Sequence, residues 1–192
     1  MPLTCASLSA ELAIDCDNAP VPGLDNYGYA FNKSEIATLA ETADVITAIT
    51  LNAVTGNQAY KFDGANAFIN GTYSLITGGI LKGFQHNVSV ILPKDDQVGL
   101  TQLSNLVNAK TTWVLPKFAS TDTATFRLYG KVQGLEGSEV SGDESNADTD
   151  GLPQITLSTP EGKKESKAPQ HFLDTDYTTS LAALETLRTP VV

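Results

Sequence analysis

Apolar and polar residues alternate along several stretches of this chain, with the two-residue period of half-buried β-strands. Tyr27, Tyr29 and Phe31 are separated by small residues, and we expect the β region to begin there. Residues 84–92 alternate in the same way and are followed by a proline. The longest amphipathic stretch, residues 123–133, predicts one long strand whose polar face points to solvent or to a neighbouring subunit.

Turn residues divide the stretch 45–76 into short runs of β-forming residues. The dipeptide Asn70-Gly71 accepts the positive φ angles of a tight hairpin turn. It therefore predicts that residues 65–69 pair with residues 72–76 across that turn. Together these signals indicate consecutive antiparallel hairpins.

Two stretches have the spacing of an amphipathic helix, with apolar residues three and four positions apart. The first follows Asp95 or Asp96, either of which can cap its first turn. The second begins at Asp176 and ends near Thr189-Pro190. The predicted apolar stripes are Leu100, Leu103, Leu106 and Val107 in the first helix, and Tyr177, Leu181, Leu184 and Leu187 in the second.

Further strands are predicted at residues 113–118, 135–140 and 152–159. Pro116 confines the first of these to an edge or a bulge, because proline cannot donate a backbone hydrogen bond to a neighbouring strand. Strands outnumber helices and are grouped in hairpins. We therefore expect a mainly β fold: an antiparallel β-sandwich or small barrel, with one internal helix flanking an open edge and a C-terminal helix.

A length of 192 residues fits one ordinary domain. We expect an N-terminal arm at residues 1–26, a sandwich or barrel domain at 27–175, and a C-terminal helix and tail at 176–192. The acidic stretch 141–151 is predicted to be a mobile loop, and residues 160–169 form a second, charged loop.

The charge balance argues against several functions. The chain has 12 Lys and Arg against 22 Asp and Glu, a formal net charge of -10, which repels polyanions and disfavours specific nucleic-acid binding. No apolar window is long enough to span a bilayer, and the start lacks the pattern of a secretory signal. Cys5 and Cys16 match no zinc spacing; they are either a small disulfide loop or, as we favour, two free thiols.

The sequence offers little for catalysis. His86 and His171 are far apart in sequence, and neither has a nucleophile or acid at a recognisable spacing. His86 lies among the apolar residues of a predicted strand, so we expect it to be packed. The glycine-rich run 78–83 lacks the order of a phosphate-binding loop and is interpreted as a hairpin turn. We predict no enzymatic activity, no catalytic residue and no cofactor.

One weak metal candidate is present. Asn146, Asp148 and Asp150 match the first half of a calcium loop, but the twelfth position, where a bidentate Glu belongs, is Leu157. A solvated loop is the favoured interpretation.

The order of elements resembles that of the tail tube proteins of long-tailed phages and of their relatives, the haemolysin-coregulated proteins of type VI secretion. The resemblance rests on the hairpin series 45–76, the strand 84–92, the helix near 97–109, and the segments 129–135 and 151–157. It implies a sandwich or small barrel with a flanking helix, assembled as hexameric rings whose inner strands join into one continuous β-barrel around a channel. It brings no catalytic residues.

By this resemblance the chain is a virion protein of a phage tail, assembled in the host cytoplasm, that self-associates into rings and stacked tubes. It contacts other tail proteins and passes DNA without binding it specifically, as an acidic lining allows. Residues 1–26, 141–151 and 160–192 are then free to reach a neighbour. The main tube subunit and a ring, adaptor or completion protein both remain open.

The alternative hypothesis is a surface module, either a calcium-assisted adhesin or a carbohydrate-binding sandwich. Its basis is the aromatic set Tyr27, Tyr29 and Trp113, together with the acidic loop. Tyr27, Tyr29 and Phe31 could form an exposed platform, but alternating aromatic residues more often form one core face.

Overall fold

The computed structural model describes residue 24 and residues 26–64, 68–77, 82–117 and 126–192. Both cysteines, most of the N-terminal arm and residues 78–81 of the glycine-rich run lie outside these ranges. The first six strands are β1 (Tyr27–Asn32), β2 (Ile36–Thr42), β3 (Val45–Leu51), β4 (Tyr60–Asp63), β5 (Ile69–Ile76) and β6 (Gly83–Ile91). The others are β7 (Thr111–Pro116), β8 (Phe126–Tyr129), β9 (Glu136–Ser141), β10 (Gln154–Ser158) and β11 (Gln170–Phe172), with helices α1 (Gln97–Asn108) and α2 (Tyr177–Thr186).

The strands form two sheets. The large sheet has seven strands in the order β2-β3-β11-β8-β7-β1-β4, and the small sheet has four in the order β5-β6-β10-β9. Pairing is antiparallel except between β11 and β3, which run parallel with Phe172 opposite Ile46. The predicted mainly β fold with two helices is confirmed. Of the two predicted forms, the described strands make a sandwich and not a closed barrel.

The large sheet is covered on both faces. On one face, Trp113 and Leu115 of β7 pack against Val88 and Val90 of the small sheet. On the other face, Val114 belongs to a second apolar cluster that also contains Leu184 of α2. The order of layers is therefore small sheet, large sheet, helix, and successive residues of β7 are buried in different clusters.

The interpretation of Pro116 as a sign of an edge strand was wrong. Strand β7 lies inside the large sheet between β8 and β1, and all its residues are buried. Pro116 is its last residue, and the register with β1 covers only Thr111 to Val114. The missing N–H therefore falls beyond the ladder with β1 and costs no hydrogen bond there.

The hairpin predicted at Asn70-Gly71 was also wrong. Both residues lie inside β5, which pairs continuously with β6 from Ile69 to Ile76. Gly71 is needed for close packing and not for a turn. A Cβ atom added there would lie 2.6 Å from the Tyr129 ring, so only glycine lets β5 approach the large sheet at this point.

The long strand predicted at residues 123–133 is shorter than expected. Strand β8 ends at Tyr129, and residues 118–125 lie outside the described ranges. Gly130 and Gly134 have φ angles of 71° and 73°, which suit glycine and turn the chain between the two sheets. The chain then enters β9 in the small sheet.

Both predicted helices are confirmed, with their caps. Asp96 accepts a hydrogen bond from the Gly99 N–H at 2.8 Å, and Asp176 accepts one from the Thr179 N–H at 2.7 Å. Helix α1 packs on β9, at the edge of the small sheet. The expectation that residues 160–192 are free to reach a neighbour was wrong, because β11 lies inside the large sheet and Leu184 is fully buried.

Candidate functional site

One face of the small sheet packs against the large sheet. The opposite face is open to solvent, and we call it the wet face. The covered face carries Val88, Val90, Ile155 and Leu157, all fully buried. Alternation turns the intervening residues outward, and the Ser89 and Thr156 hydroxyls meet there at 3.2 Å. The wet face consists of Asn70, Thr72, Ser74, Gln85, Asn87, Ser89, Gln154, Thr156 and Ser158, together with residues of β9.

This sheet contains no cationic lysine or arginine. None of its four strands includes Lys or Arg, and Glu136 and Glu139 are the acidic residues among them. Its histidine, His86, is on the covered face with 1% of its surface exposed. The residues that these four strands place on the wet face are therefore neutral or acidic, and they offer no cation to a polyanion.

Both edges of the small sheet are open among the described residues, because β5 and β9 are its outermost strands. Directly before β5, the Phe68 carbonyl accepts a hydrogen bond from the Ile91 N–H at 2.9 Å. The antiparallel ladder then directs the backbone groups of residues 69, 71, 73 and 75 away from β6. Such a row of unpaired groups is a template for another strand.

The same two edges carry exposed apolar side chains. Tyr73 and Leu75 on β5 are 47% and 52% exposed, and Val140 on β9 is 48% exposed. Val140 is opposite Ile155 in the ladder, and Tyr73 and Leu75 share the side of β5 that holds Ile69. The apolar side of the small sheet thus continues to both of its edges, where Tyr73, Leu75 and Val140 are exposed.

His86 is packed, as expected, and it has no free nitrogen for catalysis. Its Nδ1 accepts a hydrogen bond from the Gly130 N–H at 3.2 Å, and its Nε2 is 3.0 Å from the Lys167 carbonyl oxygen. These partners define a neutral imidazole with the proton on Nε2. Burial lowers the pKa of His86. The negative charge of Glu165 raises this pKa, but by a smaller amount.

Glu165 is a buried carboxylate that sequence reasoning missed. It is 1% exposed and accepts hydrogen bonds from the Val132 N–H at 2.9 Å and the Gln133 N–H at 2.8 Å. It fastens the loop after β8 to the loop before β11. In the sequence it is one charge among several in a charged stretch, so no signal marks it as buried.

An ion-pair cluster on the surface joins the same loops to the hairpin of β2 and β3. Glu41 pairs with Lys131 and with Lys167, and it accepts a hydrogen bond from Gln170 at 2.8 Å. These donors lower the pKa of Glu41 to about 2. A carboxylate held ionised in this way is a structural clamp and a poor proton donor.

The aromatic residues considered for an exposed platform belong to the core instead. Tyr29, Phe31 and Trp113 are fully buried, and the Tyr29 hydroxyl donates a hydrogen bond to Glu185 at 2.6 Å. Burial, followed by this bond, raises the pKa of Tyr29. The half-buried Tyr27 has its hydroxyl 3.1 Å from that of Tyr177. These aromatic residues serve the core, as the favoured interpretation held.

The calcium candidate has turn geometry. Asn146 Oδ1 accepts a hydrogen bond from the Asp148 N–H at 2.9 Å, and Asp150 has a φ angle of 51°. In the part of the chain that is described, no group of three or more His, Cys, Asp or Glu is placed to hold a metal ion. Asn146, Asp148 and Asp150 remain a weak calcium candidate, and a solvated loop stays the favoured prediction. Neither described helix is long and apolar enough to cross a membrane.

Comparison of the chain with protein-family models, with curated proteins and with solved structures found no match. The function is therefore inferred from the geometry of the small sheet and from its charge.

Proposed function

We propose that this chain is a ring-forming structural subunit of a phage tail tube, whose copies join their small sheets edge to edge around a channel for DNA. The observation that carries the proposal is the small sheet itself, which has two edges open among the described residues and no Lys or Arg in its four strands. The protein then belongs to the virion and is assembled in the host cytoplasm.

The strand directions support a closed ring. Neighbouring strands in the order β5-β6-β10-β9 are all antiparallel, so β5 and β9 also point in opposite directions. A rotated copy therefore presents its β9 antiparallel to the β5 of the first copy. Contacts of this head-to-tail kind close into rings when the rotation divides a full turn. Closure removes both edges and covers Tyr73, Leu75 and Val140.

The lining supports a conduit for DNA. In such a ring the wet face surrounds the hole and offers hydroxyl, amide and carboxylate groups. Duplex DNA is held non-specifically through neutralisation of its phosphates by Lys and Arg. The four strands of the small sheet contribute no such residue to the wall, which favours passage of DNA over retention, and their carboxylates add repulsion.

The proposal is tested by blocking one edge without disturbing the fold. The Leu75 N–H points away from β6, so Leu75→Pro removes an outward donor and no bond to β6. Wild-type protein is expected to sediment as a ring of several copies and the variant as a monomer. Val98→Lys is the matched control, because Val98 is 59% exposed at the start of α1, beside β4 of the large sheet. Rings that persist in Leu75→Pro, or a wild type that stays monomeric at high concentration, contradict the proposal.

The alternative of a surface or carbohydrate-binding module is less well supported. It relied on exposed aromatic residues, and Tyr29 and Trp113 are buried. Only the acidic loop still favours it. A calcium-dependent rise in melting temperature that disappears in Asp148→Ala would support that alternative.

A further inference from the structure

A groove of about 690 Å³ opens between the two sheets, beside the start of β5. The large sheet contributes Arg127 and Tyr129 to its lining, and the small sheet contributes Ile69, Asn70, Gly71, Ser89 and Gln154. Lys117, directly after β7, lines it as well. No Asp or Glu is among the described residues of the lining, which is unusual in a chain with a net charge of -10.

The two cations of the groove have no carboxylate partner in the described part of the chain. The ion pairs found there use Lys61, Lys110, Lys131, Lys167 and Arg188. Arg127 contacts the Tyr129 hydroxyl, while its buried Nε has no hydrogen-bond partner there. The pKa of the neighbouring His171 is lowered, first by burial and then by the charge of Arg127, with a smaller contribution from Lys117. The groove is thus a local site of positive potential.

The acidic loop 142–151 is its electrostatic complement. It carries Asp143, Glu144, Asp148 and Asp150 and no Lys or Arg. None of the four carboxylates forms an ion pair with a residue of the described ranges. Neither side of the potential contact therefore has an ion-pair partner among the described residues of one copy.

Strand order brings these two features together in a ring. Ile69, Val90, Ile155 and Val140 lie in one row across the small sheet. The end of β9, where the acidic loop begins, is therefore level with the start of β5, where the groove opens. When β9 of one copy pairs with β5 of the next, the loop of the first copy arrives beside the groove of the second, offset only by the stagger that closure requires.

We propose that the groove lined by Lys117 and Arg127 binds the carboxylates of the acidic loop 142–151 of the adjacent copy. This inference rests on the proposed ring. The strand edges supply the contact, and the loop and groove add a charge-complementary latch that fixes the register and disfavours wrong pairings. These ion pairs lie at the solvent-exposed border of the contact between copies, so the latch weakens as the ionic strength rises.

The test is a charge reversal with a matched control, read out by sedimentation of the full chain. Lys117→Glu with Arg127→Glu is expected to raise the dissociation constant of the ring contact about 10-fold or more. Lys94→Glu with Lys163→Glu changes the net charge equally at exposed sites outside the groove, and it is expected to have a much smaller effect. Reversing the loop, with Asp143, Glu144, Asp148 and Asp150 all changed to Lys, is expected to restore association of the groove variant.

The outcomes separate the latch from the ring. Wild-type rings together with a groove variant that behaves like its control overturn the latch and leave the proposed function standing. Wild-type protein without any self-association overturns both. If the groove variant has a lowered melting temperature, Lys117→Gln with Arg127→Gln repeats the test without introducing negative charge, and unchanged association of a folded variant again overturns the latch.

Discussion

Side chains alternate between the two faces in both sheets, but the two sheets differ in what those faces contact. In the large sheet, β7 is buried on both faces, with Trp113 against the small sheet and Val114 in the cluster that contains α2. In the small sheet, β6 has the same two-residue period, but Val90 is buried while Ser89 is on the wet face. The large sheet is buried on both faces, whereas the small sheet has one buried face and one face open to solvent.

This difference predicts that stability and the proposed assembly can be altered independently. Substitutions in the large sheet should lower the free energy of unfolding, because each face is close-packed. Substitutions on the wet face should leave folding nearly unchanged and alter what the assembled protein does. The following predictions test that division.

The largest effect on folding is expected for Trp113→Ala. Trp113 is fully buried, and its indole Nε1 donates a hydrogen bond to the Thr111 hydroxyl at 3.0 Å. Removal of a buried Trp side chain costs about 3–5 kcal/mol of unfolding free energy. Urea unfolding monitored by circular dichroism measures it, and a loss below about 1 kcal/mol would contradict the core described above.

A smaller loss is expected for Glu165→Gln, which keeps the shape of the side chain and removes its charge. The two N–H donors of Val132 and Gln133 lose a charged acceptor, at a cost of about 1–3 kcal/mol. Glu161→Gln is the matched control, since Glu161 is exposed in the same loop and its change should lie within about 0.5 kcal/mol. Equal losses of unfolding free energy in the two variants would contradict the stabilising role of the hydrogen bonds to Glu165.

Stability should also fall as the solution becomes acidic. Burial lowers the pKa of both His86 and His171 in the folded chain, so the unfolded chain binds more protons below pH about 6.5. The melting temperature should therefore drop between pH 7 and pH 5.5. Glu41, with its pKa lowered to about 2, adds a further loss below its ordinary pKa. Nitrogen NMR of the imidazoles checks the cause, and a charged His86 in folded protein at pH 6.5 would contradict it.

The smallest effect on folding, and a distinct effect on function, is expected for Asn87→Lys. Asn87 is on the wet face, so the unfolding free energy should change by less than about 0.5 kcal/mol. In a ring, one lysine per copy would surround the channel and retain DNA in a salt-dependent manner. Retention of duplex DNA in a pull-down, against none for the wild type and for Asn87→Gln, measures this. DNA retention by the wild type would contradict the neutral-to-acidic lining.

The sequence predicted the helices and strands better than it predicted which of them lie next to each other in the fold. The two helices and their caps follow from local spacing, as does the burial of Val88 and Val90, because these features depend on residues close in the chain. The interpretations of Pro116 and Asn70-Gly71 were wrong because each relied on a local sequence rule. Pro116 ends a strand that lies inside the sheet, and Gly71 is where β5 approaches Tyr129.

The candidate site was predictable only in part. The excess of Asp and Glu over Lys and Arg is visible in the composition. That four strands without Lys or Arg form one sheet depends on strand pairing, which the sequence does not show. Leu75 belongs to a recognisable β pattern, whereas its position on an open edge does not follow from residues 69–76 alone. The groove joins Lys117 to β5 across the sandwich, and only the fold brings them together.

Electron microscopy of the purified wild-type protein tests the central claim most directly. The account predicts rings or stacked tubes with a central hole, whose inner wall at higher resolution is a continuous β-sheet in which β9 of each copy pairs with β5 of the next. A population of single compact particles at high concentration, or rings whose copies meet through the large sheet, would contradict it.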